Sequence, residues 1–140
     1  MIEIRPTKIE DVEKIILLEQ QFLGETIGDM LFNELTNPVA HFFTALVNNE
    51  VVGYIGGWIV EESLEIINLV VDEKYQRQGI GTSLIETISS LKPIKEIFLD
   101  VRVTNQKAIN FYHKLGFQEI LIRKHYYKNG DDSFVLKKSL

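Results

Sequence analysis

The chain has 140 residues, about one domain's worth, and its 45% hydrophobic, 25% charged composition is that of a folded protein rather than a disordered one. It has no cysteine for a disulfide, a thiol nucleophile or an iron–sulfur site, and His41, His113 and His125 lack metal-ligand spacing. A net charge of −5 argues against a nucleic-acid partner, no apolar run reaches a membrane span, and Met1-Ile2-Glu3-Ile4-Arg5 is no signal peptide. The expectation is one soluble, cytoplasmic domain over residues 1–140, with no metal and no membrane.

Ile2-Glu3-Ile4-Arg5 alternates as a short strand that stops at Pro6. Thr7 with Glu10 reads as a capping box for a helix carrying Val12, Ile15, Ile16 and Phe22 at helical spacing, Glu19 being the polar interruption. A second short helix fits residues 27–35, ended by Thr36-Asn37-Pro38. The period then changes. Apolar runs at 42–47 and 51–60, joined by Asn48-Asn49-Glu50, predict a hairpin, and 64–71 a further strand after Glu61-Glu62-Ser63. Ile80, Leu84, Ile85, Ile88 and Leu91 share a helix face that ends at Lys92-Pro93. A strand at 97–103, a helix at 105–115 with Gly116 as its cap, and a hairpin of 117–127 with 133–136 around Asn129-Gly130-Asp131 complete the chain. Hairpins followed by strand–helix–strand imply a mixed sheet covered by helices, an α+β or α/β domain. Ligands settle where the antiparallel part of such a sheet meets the parallel part.

The densest chemical signal is Gln76-Arg77-Gln78-Gly79-Ile80-Gly81-Thr82, directly after a predicted strand and opening a predicted helix. Backbone N–H groups there sit at the positive end of a helix dipole, a natural seat for phosphate. Gly79 and Gly81 let the backbone approach an anion and Arg77 adds charge; alternatively, the glycines only cap the helix. The loop lacks the Gly-Lys-Ser/Thr ending of a Walker loop and the third glycine of the dinucleotide fingerprint.

A second motif follows: Leu99-Asp100-Val101-Arg102-Val103-Thr104-Asn105, then Ala108-Ile109-Asn110-Phe111-Tyr112-His113-Lys114-Leu115-Gly116-Phe117. Preceded by Asn68-Leu69-Val70-Val71-Asp72 and the glycine loop, it resembles the GCN5-related N-acetyltransferase superfamily from residue 52 to the end. Within it the chain is most similar to the ribosomal-protein-alanine N-acetyltransferases. The likeness extends to Gly53-Tyr54-Ile55-Gly56-Gly57-Trp58-Ile59-Val60 and to the tail Ile122-Arg123-Lys124-His125-Tyr126-Tyr127-Lys128-Asn129-Gly130-Asp131-Asp132-Ser133. Two departures are Phe22-Leu23-Gly24-Glu25-Thr26, where the family has F-P-W-S, and Asp100, where it usually has glutamate.

The resemblance implies a mixed, mostly antiparallel sheet, split by a β-bulge and flanked by helices. It implies acetyl-CoA as co-substrate, its pantetheine arm along Leu69, Val70 and Val71 and its pyrophosphate on Gln76, Arg77, Gln78, Gly79, Ile80, Gly81 and Thr82. Asn105 would touch the same molecule; by itself it reads equally as a helix N-cap. Tyr112 is implied as proton donor to the departing thiolate, although its place on the stripe Ala108, Phe111, Tyr112, Leu115 also reads as core. Asp100 is implied as a base acting through water; without the resemblance it reads as a salt-bridge partner of Arg102 or a lysine, and Glu65 is a rival carboxylate. Tyr126 and Tyr127 read as peptide-pocket residues or as hairpin packing. The implied acceptor is a basic protein N-terminus, in the family the N-terminal alanine of a small-subunit ribosomal protein. A small amine, another protein N-terminus, or a non-catalytic acetyl-CoA-binding module are the alternatives. The oligomeric state is not written in the sequence, and a monomer is compatible with it.

Overall fold

The computed structural model describes residues 1–22 and 30–140. Strand β1 (Ile2–Pro6) leads through a 3-10 turn (Ile9–Asp11) into helix α1 (Val12–Phe22). The expected capping pair is displaced by one residue: Asp11 reaches back to accept the Lys8 N–H at 2.8 Å. Asp11 prevails because Arg5 also grips it, at 2.7 and 3.0 Å, while the Thr7 hydroxyl is taken by Thr44 across the sheet. Helix α2 (Met30–Glu34) falls within the helix expected at 27–35. Residues 23–29, with most of the segment that departs from F-P-W-S, lie outside the described residues.

Strands β2 (Ala40–Val47), β3 (Glu50–Val60) and β4 (Ser63–Val71) form an antiparallel meander. Its first turn is tight because Asn48 and Asn49 both adopt positive φ, 51° and 67°, the twist a two-residue hairpin needs. Helix α3 (Ile80–Ser89), β5 (Glu96–Arg102), α4 (Gln106–Lys114), β6 (Gln118–Arg123) and β7 (Ser133–Ser139) follow. Among the described residues the strands make one sheet in the order β1-β2-β3-β4-β5-β7-β6. Only β4 and β5 run parallel within it, so the sheet is mixed and mostly antiparallel, as expected. Strand β6 ends short of the expected residue 127. His125 takes a left-handed φ of 52°, and the Asp132 carboxylate captures its N–H at 2.9 Å. No helix among the described residues is long and apolar enough to cross a membrane.

Both faces of the sheet are covered. Ile80, Leu84 and Ile88 of α3, with Ile109 of α4, pack on Leu64, Ile66, Ile97 and Leu99. On the opposite face Val12, Ile15 and Leu18 of α1 pack on Phe42, Tyr54 and Val70. The parallel pairing covers only Ser63 to Ile66 against Glu96 to Leu99. Immediately beyond, Gly56 faces Asn68 while Gly57 faces Ile66, so Ile67 is an extra, bulged residue. From there β4 continues with β3, and β5 continues with β7. The sheet opens between them as a V.

Candidate active site

The V opens into a cleft of about 760 Å³ bounded by β4, the start of α3 and α4. Leu69, Val70, Val71, Gln76, Arg77, Gly79, Ile80, Gly81, Thr82 and Asn105 all line it, together with Tyr112. Gln78 and Asp100 do not.

The strand wall follows from β-alternation. The Asp72 N–H donates to the Val52 carbonyl at 2.7 Å, toward β3. Leu69 and Val71, at odd spacing from it, therefore turn their N–H groups to the side that β5 has left. The Val71 carbonyl accepts from Gln76 Nε2 at 3.0 Å, which ties the loop to the strand and leaves the N–H as what Val71 offers. In the loop, Gly79 precedes α3 at φ 80°, with open space where a Cβ would stand. Arg77 is held at φ 66° without being glycine, a conformation worth about 1–3 kcal/mol of strain. Two left-handed residues so close together curl the chain, the kind of backbone in which successive amides form an anion-binding concavity. Among the described residues Arg77, Lys107 and Lys114 line the same space, with Glu73 as the acid. A dipole end, exposed amides and cations suit a pyrophosphate.

For two residues both sequence readings hold at once. Asn105 caps α4, accepting the Ala108 N–H at 3.1 Å, and also lines the cleft. Tyr112 is 8% exposed and meets Phe111 and Phe117 edge to face, yet its other side is cleft wall. Burial pushes its phenol above the ordinary tyrosine range, and Tyr127 nearby adds to the rise.

Asp100 lies on the other face of β5 from the buried Leu99 and Val101. The salt bridge to Arg102 or a lysine, the reading of Asp100 without the resemblance, is corrected: the Arg102 guanidinium stacks on the Tyr127 ring at 3.9 Å, and the ion-pair partner of Asp100 is an arginine of another strand. Asp100 instead accepts from Ser133 Oγ at 2.8 Å and faces Arg123 Nε at 3.3 Å. Arg123 arrives from β6, which the sheet order places two strands away. Burial raises the Tyr126 phenol, and the charges of Asp100 and Glu65 raise it further. Tyr127 is likewise raised, first by burial and also by Asp100, so it is coupled both to that carboxylate and to Tyr112. The β6–β7 connection thus stands beside both carboxylates.

One polar cluster lies outside the sequence motifs. Glu19, noted only as an interruption, is fully buried and accepts from Asn68 Nδ2 at 2.7 Å and from the Tyr54 hydroxyl. Its signal in the sequence is an acid at helical spacing with the apolar Val12, Ile15 and Phe22.

The profile described as "Acetyltransferase (GNAT) family" matches residues 9–117. An N-alpha-acetyltransferase of Sulfurisphaera tokodaii is 36% identical over 98% of this chain and 92% of its own length. The N-alpha-acetyltransferase RimI of Mycobacterium tuberculosis is 30% identical over 91% of this chain and 86% of its own. The crystal structure of the ribosomal-protein-S18-alanine N-acetyltransferase of Escherichia coli superposes with a TM-score of 0.87 at 26% identity, covering 99% of this chain and 94% of that one. The chain belongs to the GNAT acetyltransferase family. It is an acetyl-CoA-dependent N-acetyltransferase.

Proposed function

We propose that this enzyme acetylates the N-terminal α-amine of a protein, with alanine first and a small-subunit ribosomal protein as acceptor. The observation that carries this reading is that Tyr126 stands close enough to Asp100 and Glu65, and Tyr127 to Asp100, to feel their charges. Relatives named N-alpha-acetyltransferase support it. So does the chemistry, because an α-amine of pKa ~7.7–8.0 gives up its proton far more readily than lysine at ~10.4. The net charge of −5 does not repel a basic protein tail.

In this reading residues 76–82 and Asn105 hold acetyl-CoA. The N–H groups of Leu69 and Val71 pair with its pantetheine arm and receive charge developing on the thioester oxygen. Asp100 draws a proton from the incoming amine through water. The amine nitrogen bonds to the carbonyl carbon, the carbon–sulfur bond breaks, and Tyr112 gives its proton to the departing sulfur. No covalent enzyme intermediate is needed, which suits a chain without cysteine.

The test is mass spectrometry of an alanine-starting peptide whose lysines are already acetylated. A single acetyl addition is expected. Transfer to polyamines with none to the peptide would move the enzyme to the small-amine class, and acetyl-CoA binding without any transfer would make it a binding module.

A further inference from the structure

Helix α1 turns one acid inward. Glu19 is 0% exposed, as is Tyr54 beneath it on β3. The Asn68 amide, at 2.7 Å, and the Tyr54 hydroxyl donate to the same oxygen, Glu19 Oε2. Burying a carboxylate at a helix–sheet contact is seldom the most stable solution, since well-packed apolar residues of similar volume do as well or better. Its place calls for another reason, and Asn68 supplies one. Asn68 is the first residue after the bulged Ile67, and the strand beyond it has lost β5 as a neighbour. Residues 69–71 are thus held along one edge only, by β3. The Asn68–Glu19 bond pins the start of that segment to α1, and the bond from Gln76 to the Val71 carbonyl pins its end to the loop.

We infer that Glu19 is a positioning residue for acetyl transfer: through Asn68 it sets the angle of residues 69–71, of which Leu69 and Val71 turn their N–H groups to the cleft. The inference rests on the role proposed above for Leu69 and Val71. The carboxylate acts on strand geometry and not on the reacting atoms.

Glu19→Gln keeps the shape but replaces the charged oxygen shared by Asn68 and Tyr54 with a neutral amide oxygen, a weaker acceptor for both. Turnover should fall about ten- to hundredfold, as expected for a small misplacement of aligned groups. KM for acetyl-CoA should stay within about threefold, because the loop is untouched. The ¹⁵N amide resonances of residues 69–71 should shift without any substrate. Asn68→Ala should show the same loss of turnover, and the double variant no further loss. Ile15→Ala, in the same α1 core, should lower the melting temperature at least as much and leave turnover intact. Native turnover in Glu19→Gln, or an equal loss in Ile15→Ala, overturns the inference. A wild-type enzyme inactive on the alanine peptide overturns the acceptor alone; the clamp is then judged by the resonances, and unmoved resonances overturn it. Shifted resonances with unchanged turnover on any accepted amine overturn the inference and the role of Leu69 and Val71 with it.

Discussion

In the proposed mechanism Tyr112 and Asp100 divide the proton work unequally. Burial, then Tyr127, pushes the Tyr112 phenol upward, so its proton is present at every practical assay pH. Tyr112→Phe keeps the edge-to-face contacts with Phe111 and Phe117 and should fold normally. Turnover should nevertheless drop at least ~100-fold with acetyl-CoA affinity retained by calorimetry; full activity would assign the ring to the core alone. Asp100→Asn should lose activity at neutral pH and regain much of it near pH 9, where an α-amine of pKa ~7.7–8.0 is already deprotonated. A loss independent of pH would make the carboxylate an anchor for Arg123 and Ser133, with Glu65 the next candidate for base. Asp11 bears on stability rather than on the reaction. Burial pushes the Asp11 carboxyl upward, but the Arg5 guanidinium and the Lys8 N–H outweigh it and hold the folded value below the ordinary 3.8. The bond is therefore fully stabilising above that ordinary value and is lost as pH falls through the depressed one. Asp11→Asn should cost about 2 kcal/mol in urea at pH 7, and the gap to wild type should close in acid. A gap that persists unchanged at pH 2 would show that ion pairing is not its source.

At the scale of elements, two predicted features of the cleft survive and two lie beyond any linear pattern. The glycine loop and the Asn105 cap were legible because each is local: backbone amides at a helix start depend on the residues next to them. The bulge at Ile67 was not readable by periodicity, since Leu64, Ile66, Ile67, Leu69 and Val70 are apolar whichever register they take. Nor was the partner of Asp100, because Arg123 reaches it only through the order β5-β7-β6. The resemblance to a family brought the split into view before the geometry did, while Glu19 needed the geometry. Where the loop was legible it can be tested by substitution. A Cβ on Gly81 would stand 3.1 Å from the Phe111 ring, a contact the ring can relieve, so Gly81→Asp should fold. Its charge, at the helix end proposed for pyrophosphate, should weaken acetyl-CoA binding at least tenfold, about 1.4 kcal/mol. Unchanged affinity by calorimetry in a folded variant would remove the loop from the site.

At the scale of the whole molecule, the split leaves a short seam. Among the described residues the parallel pairing of Ser63 to Ile66 with Glu96 to Leu99 is all the strand pairing that joins the β1–β4 half of the sheet to the β5–β7 half. A molecule lying along residues 69–71 and reaching Asn105 and Tyr112 would add ties across the open end of that seam. Any ligand bound only by the folded state stabilises it, by about 2.7 kcal/mol at a hundred times its Kd. For a chain of this length that corresponds to roughly 10 °C in Tm. Acetyl-CoA should give this rise, coenzyme A most of it, and Gly81→Asp little at the same concentration. The rise alone reports binding; the bridging claim needs a local readout. Amide hydrogen exchange should slow together at residues 69–71 of β4 and 100–102 of β5 when acetyl-CoA is added. Protection confined to residues 76–82 would mean that the molecule is held by the loop alone, and that the seam stays open during the reaction.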